Sequence, residues 1–133
     1  LNPVLPDVPP LYYSQVVQGE ISPVPDSDVF LLLVDPNTTI LLTLTDTTGG
    51  GGHPILEVFD AEGQVVETLY QNDGSASWQP TFTEAGTYVV LIRENGDNNT
   101  ATFNLGLQCI FGECPDLTPI ENHTWGELKA IYR

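Results

Sequence analysis

Thr81 to Arg93 reads Thr-Phe-Thr-Glu-Ala-Gly-Thr-Tyr-Val-Val-Leu-Ile-Arg, and no other stretch narrows the fold as much. Gly86 supplies a sharp corner at no steric cost. After it, Tyr88, Val90 and Ile92 point to one side of a strand, and Thr87, Val89 and Leu91 to the other. The residue types are β-branched or aromatic, which suits a pleated surface. Both sides are largely apolar, so a central strand covered on each face is expected. A Gly-x-Tyr corner in that position points to a β-sandwich, with the Tyr88 hydroxyl bonding back to nearby backbone.

The remaining patterns agree with an all-β chain. Tyr12 to Ile21 and Thr39 to Thr47 alternate, and Val29 to Val34 is a short buried run. Ile55 to Phe59 and Gln64 to Tyr70 flank Asp60-Ala61-Glu62-Gly63, a hairpin signal. Ser75 to Phe82 contains Pro80, which suggests an edge or a bulge. Asn95-Gly96-Asp97-Asn98 turns the chain into Thr100 to Leu107. The sum is a jelly-roll-like antiparallel β-sandwich of about eight strands over residues 11–108. Residues 1–10 hold four prolines and should form an extended arm.

Residues 109–133 differ in character. Cys109 to Pro119 reads as irregular, and Cys109 and Cys114 are placed to close a short disulfide loop. Thr124-Trp125-Gly126-Glu127 fits a capping box opening a short helix over 124–132. Trp125, Leu128 and Ile131 or Tyr132 share one face of it, with Lys129 and Arg133 in its last turn. Nine residues are too few for a helix in isolation, so this tail needs a surface to dock on.

Eighteen acidic residues face three basic ones, a formal net charge of −15. That argues against nucleic acid, whose phosphates need Lys and Arg, and against anionic membrane surfaces. Residues 1–108 carry 14 acids and one cation (−13); residues 109–133 carry four acids and two cations (−2). No apolar run is long enough to span a bilayer. Met is absent throughout, as expected of a processed or excised piece, and the cysteine pair fits a secreted or cell-surface protein.

A catalytic set is hard to assemble. The two histidines, His53 and His123, lie in loops, and neither a Gly-x-Ser-x-Gly elbow nor a His-Glu-x-x-His motif occurs. The four-glycine run before His53 lacks the Lys-Ser/Thr of a phosphate cradle. No cofactor is indicated, and zinc lacks a ligand set. Calcium is the candidate cation, because Asp26, Asp28, Asp60 and Asp97 put carboxylates in turns, although none has the spacing of an EF-hand. Tyr12, Tyr13, Tyr70 and Trp78 are the candidate carbohydrate-stacking aromatics. Asn37, Asn98 and Asn122 open Asn-x-Thr sequons, candidate glycosylation sites in a suitable host.

Three segments carry a family likeness: Val16-Val17-Gln18-Gly19-Glu20-Ile21 followed by Asp28-Val29-Phe30, the hairpin Leu56 to Gly63, and Phe82 to Ile92. Over residues 11–107 the chain resembles the bacterial pre-peptidase C-terminal domain, a secreted β-sandwich appended to exported hydrolases. The resemblance implies fold and export and supplies no catalytic motif; some members bind calcium or insoluble polymers. The expectation is a non-enzymatic secreted module that associates with copies of itself through its terminal arms, in a filament or surface layer. The alternative is an accessory domain of a secreted hydrolase that holds an extracellular polymer or carbohydrate. A small hydrolase is the least favoured reading.

Overall fold

The computed structural model describes residues 8–21, 27–48, 53–70, 74–94 and 100–115. Among these residues nine strands are present: β1 (Gln15–Ile21), β2 (Ser27–Val34), β3 (Thr38–Asp46), β4 (Pro54–Phe59), β5 (Val65–Tyr70), β6 (Ser75–Trp78), β7 (Thr81–Phe82), β8 (Gly86–Glu94) and β9 (Ala101–Phe111). They form two antiparallel sheets. Sheet I has the order β1-β9-β3-β6, with β7 also paired to β3; sheet II has the order β2-β8-β4-β5. The expected all-β sandwich is therefore the observed fold. The count exceeds eight because Gln79-Pro80 splits the Ser75 to Phe82 segment into β6 and β7. Pro80 has no N–H to offer a ladder, yet its carbonyl accepts from Ile40 N at 3.1 Å.

Strict alternation makes the core. Ile40, Leu42 and Leu44 of β3, Phe103, Leu105 and Leu107 of β9, and Leu56, Val90 and Ile92 of sheet II interleave between the sheets, each 1 % exposed or less. Gly19 is part of this packing. A Cβ there would run into the ring of Phe103, the cross-strand partner of Gly19.

Several expectations need correction. β8 is central, between β2 and β4, but only one of its sides is sealed. Val90 and Ile92 face the core, whereas Val89 and Leu91 are half-buried on the outer side. The backbone-bonded tyrosine is Tyr13, whose hydroxyl donates to Leu33 O at 2.7 Å; Tyr88 packs instead against Phe82, ring centroids 5.1 Å apart. β9 runs on through Cys109 to Phe111, past a bulge opposite Thr39 and Ile40, where an irregular segment was expected. The chain before β1 is not featureless either. Leu31 N donates to Pro9 O at 2.9 Å and Leu11 N to Leu31 O at 2.8 Å, so Pro9 to Leu11 lie parallel along the edge of β2. Prolines suit that place, because an edge needs half as many donors and a covered edge resists pairing with other chains. The helix expected over 124–132 lies outside the described residues.

Candidate functional site

The outer faces of the two sheets are chemically unlike. On sheet II, Val29, Leu31, Leu33, Val89, Leu91, Ile55 and Phe59 point away from the core, around an ion pair in which Arg93 Nε donates to Glu57 Oε1 at 3.1 Å. Leu31 and Ile55 are only 4 % and 2 % exposed, although neither belongs to the cluster between the sheets.

On sheet I the outward positions are almost all polar and uncharged. β3 contributes Thr39, Leu41, Thr43 and Thr45, and β9 contributes Thr102, Asn104, Gly106 and Gln108. β1 adds Val16, Gln18 and Glu20, and β6 and β7 add Ser75, Ser77 and Thr81. Glu20 is the one charged side chain among these positions, in a chain of net charge −15.

Two depressions mark this face. One, of about 360 Å³, is lined by Val16, Leu41, Thr43, Thr45, Asn104, Gly106 and Gln108. The other, of about 490 Å³, is lined by Gln18, Gly19, Glu20, Thr47, Thr102, Phe103 and Asn104. Asn104 lines both, so they adjoin, and together they make a trough whose lining comes from β1, β9, β3 and Thr47.

Register explains the trough. Gly106 lies opposite Val16 on one side and Thr43 on the other, with Asn104 and Gln108 two residues away along β9. A central strand would normally fill such a position with a side chain. A Cβ on Gly106 would meet only Val16 Cγ2, at 3.8 Å, an ordinary contact. Nothing in the fold therefore requires glycine there, in contrast to Gly19. Interior strand glycines often mark close approach of another molecule.

Hydrogen bonding also distinguishes among the side chains here. Some hydroxyls of this face pair with one another: Thr39 with Thr81 at 2.8 Å, Thr43 with Ser77 at 3.3 Å, and Thr47 donating to Thr102 Oγ1 at 2.7 Å. Among the described residues, no hydrogen bond engages the side chains of Thr45, Asn104 or Gln108. Phe111, 70 % exposed, stands beyond the trough on the strand position paired with Thr39.

The residues singled out from sequence are scattered. Asp60 Oδ1 accepts from Glu62 N and Gln64 N, both at 2.9 Å, which is the turn chemistry of the β4–β5 hairpin. Asp28 is half-buried near the start of β2. Asp26 and Asp97 lie outside the described residues, among which no group of three or more His, Cys, Asp or Glu is placed to hold a metal. Asn37 is exposed in the β2–β3 turn with φ +59°, a conformation asparagine tolerates. Asn98, Asn122 and the tail residues Trp125, Leu128, Lys129, Ile131, Tyr132 and Arg133 are outside the described residues. Cys109 and Cys114 form the expected disulfide. Of the candidate stacking aromatics, Tyr13 and Trp78 pack on the core, Tyr12 is half-buried, and Tyr70 is 59 % exposed at the edge of sheet II. They do not share a face.

His53 Nδ1 lies 3.4 Å from Asp46 Oδ2, and its backbone N–H reaches Glu94 Oε2 at 3.4 Å. Among the described residues no hydroxyl or thiol is bonded to the ring.

The sheet I trough was missed at the sequence level, although its signal is present. The outward registers of Thr39 to Thr47 and Thr100 to Leu107 hold hydroxyls, amides and a glycine where an exposed acidic surface would be expected.

Comparison with solved structures shows what the fold is similar to: a β-sandwich of the kind seen in pre-peptidase C-terminal domains. The domain of that kind from the collagenase of Bacillus anthracis superposes with a TM-score of 0.64 at 14 % identity, covering 76 % of this chain and 94 % of that one. The periplasmic inhibitor of g-type lysozyme from Aeromonas hydrophila matches with TM-score 0.59 and 14 % identity, over 77 % of this chain and 96 % of the other. A surface-associated copper-binding protein important in copper acquisition in Methylomicrobium album BG8 gives 0.55 and 9 %, over 77 % and 98 %. At these identities the likeness is one of fold. No family model and no curated protein matches the sequence.

Proposed function

We propose that this chain is a secreted, non-enzymatic interaction module that works through the outer face of sheet I. The observation that carries the reading is the trough over Gly106. It is a hydrogen-bonding surface with Glu20 as its one charged side chain, kept open by a glycine the fold does not need, on a body that is otherwise strongly acidic. The disulfide between Cys109 and Cys114 supports an oxidising extracellular or periplasmic setting. The sandwich it resembles is a domain of a collagenase, which agrees with the alternative role of an accessory domain holding a polymer. A panel of extracellular polymers presented to the intact chain tests the reading. Binding that is lost when Thr43 and Thr45 are both replaced by Asp supports it. Binding untouched by that double variant contradicts it.

Self-association through the ends is the second reading, favoured by the sequence of residues 124–133 with its apolar face and two cations. The root of the N-terminal arm is bonded to its own β2, so assembly would fall to residues beyond Val8 and Pro115. Light scattering on the intact chain and on a chain ending at Pro115 tests this. Higher-order particles that vanish on truncation support assembly, and a monomer in both cases contradicts it.

A further inference from the structure

We propose that the sheet I trough binds an uncharged glycan chain, laid across β1, β9 and β3 with one sugar ring seated over Gly106. The inference rests on the reading of sheet I as the working face and adds the ligand's chemistry. Four observations lead to it.

The trough is open, and its two depressions adjoin at Asn104. That shape suits a segment of a polymer better than a small enclosed molecule. Its lining is mixed in the way a sugar is mixed. Val16 and Leu41 offer apolar surface to the C–H groups of a pyranose, while Thr45, Asn104 and Gln108 offer unengaged hydroxyl and amide groups to its hydroxyls. An amide both donates and accepts, so it can meet a hydroxyl in either role. Charge chooses between classes of glycan. A body of −15 with no cation on this face repels uronate or sulfated chains and is indifferent to neutral ones. Finally, Gly106 lets a ring approach the backbone of a central strand, where any side chain would hold it off.

A protein partner fits less well. Protein interfaces centre on large exposed aromatic or Arg anchors, and the one aromatic lining the trough, Phe103, is buried in the core at 1 % exposure. An added peptide strand would need an open sheet edge, whereas the trough lies across the face of a sheet whose middle strands, β9 and β3, are paired on both sides.

The test is a depletion isotherm of the intact chain on insoluble cellulose, chitin and mannan, with alginate and fibrillar collagen alongside. Gly106→Gln fills the trough without a backbone clash, and its thermal unfolding and near-UV circular dichroism report whether the sandwich persists. Asn104→Ala removes one amide and nothing from the core. The expected result is saturable binding to at least one neutral glycan that is little affected by salt. It should weaken about tenfold or more in either variant, the effect of about one lost hydrogen bond, while the fold is retained. Binding to collagen alone, lost in Gly106→Gln, would overturn the glycan assignment and leave sheet I as the working face. Glycan binding unchanged in both folded variants would overturn the site itself. Absence of binding to every polymer would overturn the inference outright.

Discussion

The two sheets of this sandwich share one core and yet turn opposite chemistry outward. Sheet II shows Val, Leu, Ile and Phe around a single ion pair, and two of those residues, Leu31 and Ile55, are nearly dry. Sheet I shows Thr, Ser, Asn and Gln with a gap at Gly106. An apolar outer face lowers the free energy only where something covers it. An uncharged hydroxyl and amide face gains little from burial, and its groups remain available to a ligand. The two sheets thus differ in kind: sheet II is apolar on both sides, with two of its outward residues buried, whereas sheet I is apolar on one side and, on the reading proposed above, offers the other for recognition.

The edges repeat the pattern, and the largest expected effect tests it there. Removing residues 1–11 strips Pro9 to Leu11 from β2 and takes away Leu11, which is 2 % exposed in the core. The loss should be at least the roughly 2–5 kcal/mol of a buried Leu-to-Ala change, read from denaturant midpoints. Association that rises with concentration should accompany it as an edge becomes available. A monomer of unchanged stability would break the comparison.

The faces themselves can be set against each other with matched aliphatic truncations. Ile55→Ala on sheet II should cost about 2–4 kcal/mol, as a buried residue does. Leu41→Ala on sheet I, half-buried beside the trough, should cost about 1 kcal/mol or less. Equal costs would mean that the outer faces do not differ in the way described.

A smaller effect belongs to the ion pair in the middle of the apolar face. Arg93 and Glu57 are partly exposed, with side chains at 34 % and 22 %. Arg93→Gln should therefore lower stability by only about 0.2–1 kcal/mol, with the difference shrinking in salt. Urea titrations at low and high ionic strength check this.

The last prediction concerns Tyr13, whose hydroxyl ties the start of the chain to Leu33 at the edge of sheet II. Burial, and then the nearby Asp35 carboxylate, raise its pKa from 10.0 to about 12. The folded state thus holds a proton that the unfolded state gives up. Stability from this group is intact below pH 10 and falls as the pH rises from 10 toward 12. Tyr13→Phe should flatten that alkaline decline. A decline of the same slope in the variant would place its origin elsewhere.

Much of this architecture was legible beforehand because period-two alternation is a local signal that burial enforces. Ile40, Leu42 and Leu44 could be placed on one side of β3 from the sequence, and all three are 0 % exposed. The Asp60 to Gly63 hairpin was equally plain, since Asp and Gly have few other reasons to stand together between apolar strands. Pairing partners were not legible. That β9 lies between β1 and β3 depends on contacts far apart in sequence, and the trough exists only once Gly106 is set between Val16 and Thr43. Tyr13 and Tyr88 show the same limit. Both are aromatic residues near a strand start, and only the position of Leu33 decides which one bonds to backbone. The extension of β9 through Cys109 escaped notice because a bulge breaks the alternation there.

The division of labour between the faces is tested most directly by amide and side-chain NMR of the labelled protein titrated with a soluble neutral oligosaccharide. The account predicts shifts confined to sheet I, led by Gly106 N–H and the side-chain amides of Asn104 and Gln108, with Leu31, Ile55 and Leu91 of sheet II unmoved. Shifts centred on sheet II, or none on sheet I at saturating ligand, would contradict it.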